Sequence, residues 1–218
     1  MTTAPRDAFY QLRLEAVAKK LRKNGFAVHL APNADEAKSI ILDTLIPTLA
    51  PRSIAFGGSM SLVDTGIYAA VKAQTPAAMI DTLDRSIPPS DLYERRRQAL
   101  LADLFLMGTN AVTEAGHLVN LDMLGNRVAA LHFGPRNVIV LAGRNKLVPD
   151  VDAAQSRIKY LAAPANALRL AMPTPCTTTG KCAECASPQR ICNVWTITER
   201  CYPEGRIHVV LTNADLGL

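Results

Sequence analysis

Four short apolar runs constrain this chain more than any other feature. They are Ser53–Gly57 (SIAFG), Ala77–Asp81 (AAMID), Asp103–Met107 (DLFLM) and Asn137–Ala142 (NVIVLA). A strand with one solvated face alternates apolar and polar residues, whereas an unbroken apolar run needs cover on both faces. Segments with helical spacing separate the first three runs, so the first 110 residues read as an α/β sheet with helices on both sides. The chain has 218 residues, 49% hydrophobic and 20% charged. That length suits one large domain, or a domain with an appendage, and the composition excludes disorder, collagen-like repeats and a disulfide mini-protein.

Along the chain, residues 7–24 space Phe9, Leu12, Leu14, Val17, Ala18 and Leu21 as in an amphipathic helix, which Asn24-Gly25 ends. A strand follows over Phe26–Leu30. A helix over Asp35–Leu45 is expected to stop before Pro47, because a proline disfavours helix in the residue ahead of it. Another helix begins near Leu62 and another covers Asp91–Leu101. Ala111–Thr113, Leu118–Asp122 and Val128–Phe133 then read as hairpin strands, with a turn at Gly125-Asn126. This strand cluster predicts a mixed sheet. Val151–Leu161 reads as a helix interrupted by Pro164, and Ile207–Thr212 as a closing strand. The simplest division is an α/β domain over 1–170 and a cysteine-rich segment over 171–218, whose last strand packs on the same domain.

All five cysteines lie in that last segment, as Cys176-x5-Cys182-x2-Cys185-x6-Cys192 and then Cys201. Thiolates are soft ligands for zinc or iron–sulfur clusters, and four within seventeen residues can converge on one site. Structural zinc sites usually show two close pairs. Here there is one, so the spacing favours a [4Fe–4S] cluster, with zinc the alternative and a redox pair at Cys182/Cys185 a minor one. Lys181, Arg190 and Arg200 would offset the thiolate charge. Two further groups stand at strand ends. Gly57, Gly58, Ser59 and Ser61 join a strand to a helix, where backbone N–H groups receive anions; a serine-capped turn is the plainer reading. Glu114, with Asn120, Asp122 and Arg127 beyond it, is either a base or nucleophile in a cleft or part of a solvated turn.

The net charge is +5, from 24 Lys+Arg against 19 Asp+Glu. The densest basic patch, Arg95–Arg97, has no interleaved aromatics and reads as a solvated helix face rather than a nucleic-acid surface. The first twenty residues carry charge throughout and no uncharged run reaches membrane-spanning length, so a cytoplasmic protein without membrane contact is expected. The long first helix allows a homodimer.

In this order, Phe56–Gly66 (FGGSMSLVDTG), Thr109–Asn120 (TNAVTEAGHLVN), Gly125–Ala129 (GNRVA), Phe133–Leu147 (FGPRNVIVLAGRNKL), Ala163–Arg169 (APANALR) and Thr174–Cys192 (TPCTTTGKCAECASPQRIC) resemble the LUD-domain (lactate utilisation protein) family. The resemblance implies a mixed-sheet α/β fold like that of the ribose-phosphate isomerase and CoA-transferase superfamily, with a ligand cleft at the strand ends. In the CoA-transferase relatives a Ser-Glu-Asn-Gly motif supplies a catalytic glutamate. It matches Thr113–Gly116, departing at Thr113 and Ala115. The cysteine segment resembles that of stand-alone members typical of anaerobes, with Cys176, Cys182, Cys185 and Cys192 as ligands and Cys201 outside the pattern, a spare thiol or exchangeable ligand. The implied function is a part in the oxidation of a small, lactate-like hydroxy acid, the cluster either passing electrons to a partner protein or binding the substrate at an open iron. An acyl, CoA or sugar-phosphate transferase or isomerase with a structural metal, or a redox-sensing subunit, are the alternatives.

Overall fold

The computed structural model describes residues 5–84 and 86–218. Six strands form one parallel sheet in the order β1 (Ala27–Ala31), β10 (Ile207–Thr212), β7 (Asn137–Gly143), β4 (Leu104–Gly108), β2 (Ser53–Phe56) and β3 (Ala78–Ile80). All four apolar runs are in it. Their alternate residues divide between two cores. Ala55, Phe105, Met107, Val138 and Val140 pack with Leu14, Val17 and Leu21 of α1 (Pro5–Lys23). Ile54, Phe56, Leu104, Leu106, Ile139 and Leu141 face the other way, onto Ile41, Leu62, Ile67 and Val71. Both sides are therefore covered, which is why these strands contain no polar alternation.

A second sheet runs β8 (Leu147–Val148), β5 (Ala111–Thr113), β6 (Leu118–Asp122), β9 (Val194–Thr198), with β5–β8 parallel and the other two pairings antiparallel. The molecule is thus α/β with a mixed set of strands, as expected. The cysteine segment is threaded between the two sheets, since β9 closes the small one and β10 lies inside the large one. No helix among the described residues is long and apolar enough to cross a membrane.

Four local expectations are corrected. Val128–Phe133 is not a strand: Asn126–His132 is a helix, α7, which buries Val128, Ala130 and Leu131. Gly125, at φ 86°, caps it rather than turning a hairpin, a backbone state glycine adopts freely. Asp122 supports that start by accepting the Arg127 backbone N–H (3.0 Å).

The two prolines expected to stop helices do not stop them. Helix α2 (Ala34–Ser39) widens into a π-turn over Ile40–Leu45 and continues as α3 (Ile46–Leu49) through Pro47. Likewise α8 (Val151–Arg157) passes through a π-turn over Ile158–Ala162 into α9 (Ala163–Arg169), which contains Pro164. A proline lacks the N–H of the regular i→i−4 bond, and its ring crowds the carbonyl one turn back. A widened turn just ahead of it accommodates both.

Candidate functional site

The parallel strands β2 and β4 end side by side, and the chain leaves them through Gly58–Ser59 and Thr109–Asn110. Ligands of open parallel sheets gather at this carboxyl edge. Here a cleft of about 740 Å³ opens, lined by those residues, by Leu121 and Asp122 of β6, by Asn126 and Arg127 of α7, by Arg96 and by Ala163, Asn166 and Arg169. This volume suits a small organic ligand.

Lys146 also lines this cleft, although only 5% exposed. It stands in a 3₁₀ turn, Arg144–Lys146, that follows the buried strand β7. Its Nζ donates to Ser61 Oγ at 2.9 Å, and among the described residues no carboxylate forms an ion pair with it. Burial pushes its pKa down to about 7, helped by the charges of Arg157 and Arg127 and opposed by Asp64. Nothing in the spacing of the sequence singled this residue out. The available signal was a lone lysine four residues beyond the apolar run NVIVLA, at the end of a strand where sites form.

Beside it, Arg127 binds Asp122 through Nε (3.1 Å) and the Leu121 carbonyl through Nη2 (3.0 Å). This nearly buried pair fixes the guanidinium at the cleft wall. Asn120 is fully buried; its Oδ1 accepts from Thr109 Oγ1 (3.1 Å) and from the Asn110 N–H (3.2 Å), so it shapes the loop that lines the cleft. Its Nδ2 has no acceptor among the described residues.

A second, smaller cavity of about 30 Å³ adjoins the first and is lined by Cys176, Cys182, Cys185 and Cys192 together. Cys176 is carried by α10 (Pro175–Thr179), with Thr174 Oγ1 3.2 Å from its Sγ. Arg190 ties the loop by donating Nη1 to the Cys185 carbonyl (2.8 Å) and Nη2 to the Cys192 carbonyl (2.7 Å). The neighbouring thiols, Cys192 foremost, raise the Arg190 pKa. Lys159, paired with Glu184, lies near Cys182 and Cys192 and is the second cation of the pocket. It does not stand out in the sequence because it comes from α8–α9, far from the cysteines in the chain. Four soft donors around one cavity, with two cations beside them, are a donor set suited to a thiolate-bound metal cluster. Among the described residues, no three His, Cys, Asp or Glu side chains are already gathered tightly enough to hold a metal ion. The two cavities share Leu121, Ala163 and Ile191 as a common wall.

The LUD domain model matches residues 14–212, almost the whole chain. The chain belongs to the LUD-domain family. Its fold is similar to the crystal structure of a DUF162 family protein from Deinococcus radiodurans, with a TM-score of 0.53 and 16% identity over 94% of this chain and 98% of that one. A search of curated proteins finds no match.

In this LUD domain the residues proposed from sequence fall into three groups. Gly58, Ser59, Asp122 and Arg127 line the cleft. Gly57, Ser61 and Asn120 are just behind its wall. Gly57 is needed for close packing, since a Cβ there would stand 2.9 Å from the Phe105 ring and 3.0 Å from Arg127 Cγ. Glu114 is elsewhere. It sits on the β5–β6 turn, more than half exposed, and pairs with Arg13 of α1 at 2.8 Å. Asn24 Nδ2 donates to the carbonyls of Ala115 (3.0 Å) and Gly116 (3.1 Å), holding that turn against α1 and away from the cleft. Cys201 is also apart from the other cysteines. It is buried in the core beside α1 and β10, donating Sγ–H to the Pro203 carbonyl (3.1 Å) and accepting from the Ile207 N–H (3.3 Å).

Proposed function

We propose that this LUD-domain chain takes a small anionic organic acid, of the lactate-like hydroxy-acid class, in the cleft beside Arg127 and Lys146. Cys176, Cys182, Cys185 and Cys192 hold a [4Fe–4S] cluster next to it. The observation that carries the reading is the shared wall: Leu121, Ala163 and Ile191 border both the thiol-lined cavity and the cleft. A group bound by the thiols is then one layer of side chains from a bound acid. When present, a cluster of this type supplies one-electron transfer. The residues of the chain do the rest. Arg127 and Arg96 give the cleft a cationic lining for a carboxylate, with Asp122 held in an ion pair by Arg127. Arg190 and Lys159 balance thiolate charge. Thr174 stands within hydrogen-bond reach of Cys176 Sγ.

The test is anaerobic purification, loading with ferrous iron and sulfide, and measurement of iron, sulfide and zinc, followed by EPR of the reduced protein with lactate and pyruvate. The expected result is a brown protein with about four irons per chain, whose spectrum changes with one of the acids. Stoichiometric zinc without colour assigns the thiols to a structural site. A loaded protein that binds neither acid removes the organic-acid assignment.

A further inference from the structure

Lys146 is unusual among the lysines of this molecule because it has been taken out of water with no ion-pair partner among the described residues. Its Nζ donates to the Ser61 hydroxyl at 2.9 Å, and the charges that act on it from α8 and α7 are the guanidiniums of Arg157 and Arg127. Asp64, on the helix that carries Ser61, is the opposing charge and makes no ion pair with it. A lysine that held the fold together through charge would have a carboxylate partner, as Lys72 has in Asp81 at 2.6 Å. Lys146 instead contributes to the lining of the large cleft. A desolvated amine beside other cations is the arrangement that makes lysine a nucleophile toward carbonyl carbon.

We propose that Lys146 condenses with the carbonyl of a small 2-oxo acid bound in the cleft. The Nζ lone pair forms a bond to the carbonyl carbon as the C=O π pair moves to oxygen, which takes up a proton to give a carbinolamine. The Ser61 hydroxyl, in hydrogen-bond contact with Nζ, is placed to carry the proton that nitrogen loses. Departure of the hydroxyl with a proton, as water, leaves a C=N bond. Overall one amine and one ketone give one imine and one water, with no oxidant or reductant. The acid's carboxylate meets Arg127 and Arg96, which line the same cleft. Lowering of the Lys146 pKa to about 7 leaves much of the amine unprotonated and reactive near neutral pH. The proposal rests on the organic-acid part of the proposed function and is independent of iron.

The probe is pyruvate with borohydride, which reduces an imine to a stable secondary amine, followed by intact mass and peptide mapping. The expected result is one adduct per chain on the peptide containing Lys146, absent in Lys146→Met and Lys146→Arg and absent with lactate, which has no ketone. Labelling spread evenly over the exposed lysines, or no adduct, overturns the proposal. Calorimetric titration with pyruvate separates the two failures. Binding without an adduct removes the imine and leaves the organic-acid reading, whereas no binding removes both. Should either variant fail to fold, the peptide map of the wild-type chain decides alone.

Discussion

At the scale of single residues, Lys146 and Glu114 carry opposite energetic signatures. Lys146 has a folded pKa of about 7 against 10.5 in the unfolded chain, so between these values the unfolded state binds more protons. Stability therefore rises with pH across that window, and below pH 7 the chain bears the full cost of burying the charge. A shift of this size corresponds to about 5 kcal/mol. We expect urea unfolding of the wild type to gain stability between pH 7 and 10 relative to Lys146→Met, with the difference between the two curves isolating this one group. Parallel curves would mean that the ammonium is solvated after all. Glu114 sits half in water, and exposed ion pairs contribute about 1 kcal/mol or less. Glu114→Gln should accordingly cost no more than that in the same unfolding measurement. A larger loss would show that the turn it occupies anchors α1 through more than charge.

Among the elements, the edge strand β1 depends on its pairing with β10, and two histidines stand on that seam. His29 and His208 stack with ring centroids 5.7 Å apart, His29 Nε2 lying 3.4 Å from His208 Nδ1. This suits neutral rings, one donating to the other. Burial lowers both pKa values, with the Arg22 charge adding to the effect at His29 and His29 itself adding to it at His208. Because the folded values lie below 6.5, the unfolded chain takes up protons first as pH falls through that value, and stability is lost there. Backbone protection over Ala27–Ala31, measured by hydrogen exchange and corrected for intrinsic rate, should fall between pH 7 and pH 5 more than protection of β7. His208→Gln should flatten that difference. If β1 and β7 lose protection equally, the pair has no local role.

The same scale shows what could be read from the chain. The parallel strands were legible because burial on two faces leaves no alternative to a continuous apolar run. Helix α7 was not legible, because Val128–Phe133 is too short to separate a strand from a half-buried helix, and what decides it is Asp122 receiving the Arg127 N–H. Pro47 and Pro164 misled for a related reason, since a π-turn leaves no mark in local sequence. Of the cleft, the Gly58–Ser59 junction and the Asp122–Arg127 pair were visible as motifs. Lys146 was not, because its character comes from desolvation and from two arginines remote in sequence.

For the whole molecule, the thiol pocket links the two sheets, because the segment 171–206 leaves α9, rounds the cavity, supplies β9 to the small sheet and then delivers β10 into the large one. Apart from α10, the stretch between Thr174 and Cys192 has no helix or strand, and side-chain bonds such as those of Arg190 hold it. The four thiols line the cavity, but among the described residues no three His, Cys, Asp or Glu side chains stand close enough to hold a metal ion, so seating a cluster draws the cysteine loop inward. The loop is the part free to move, since the opposite wall is Leu121 of β6 and Ala163, Pro164 and Ala167 of α9, all fixed in regular elements. Loading with iron and sulfide should consequently raise hydrogen-exchange protection over residues 176–192 while leaving β4 and β7 unchanged. It should also raise the unfolding temperature in proportion to occupancy, as any ligand specific for the folded state does. Cys182→Ser, which removes a donor from the least regular part of the loop, should abolish both effects. Iron that binds without changing protection in that loop would place the metal somewhere other than this pocket.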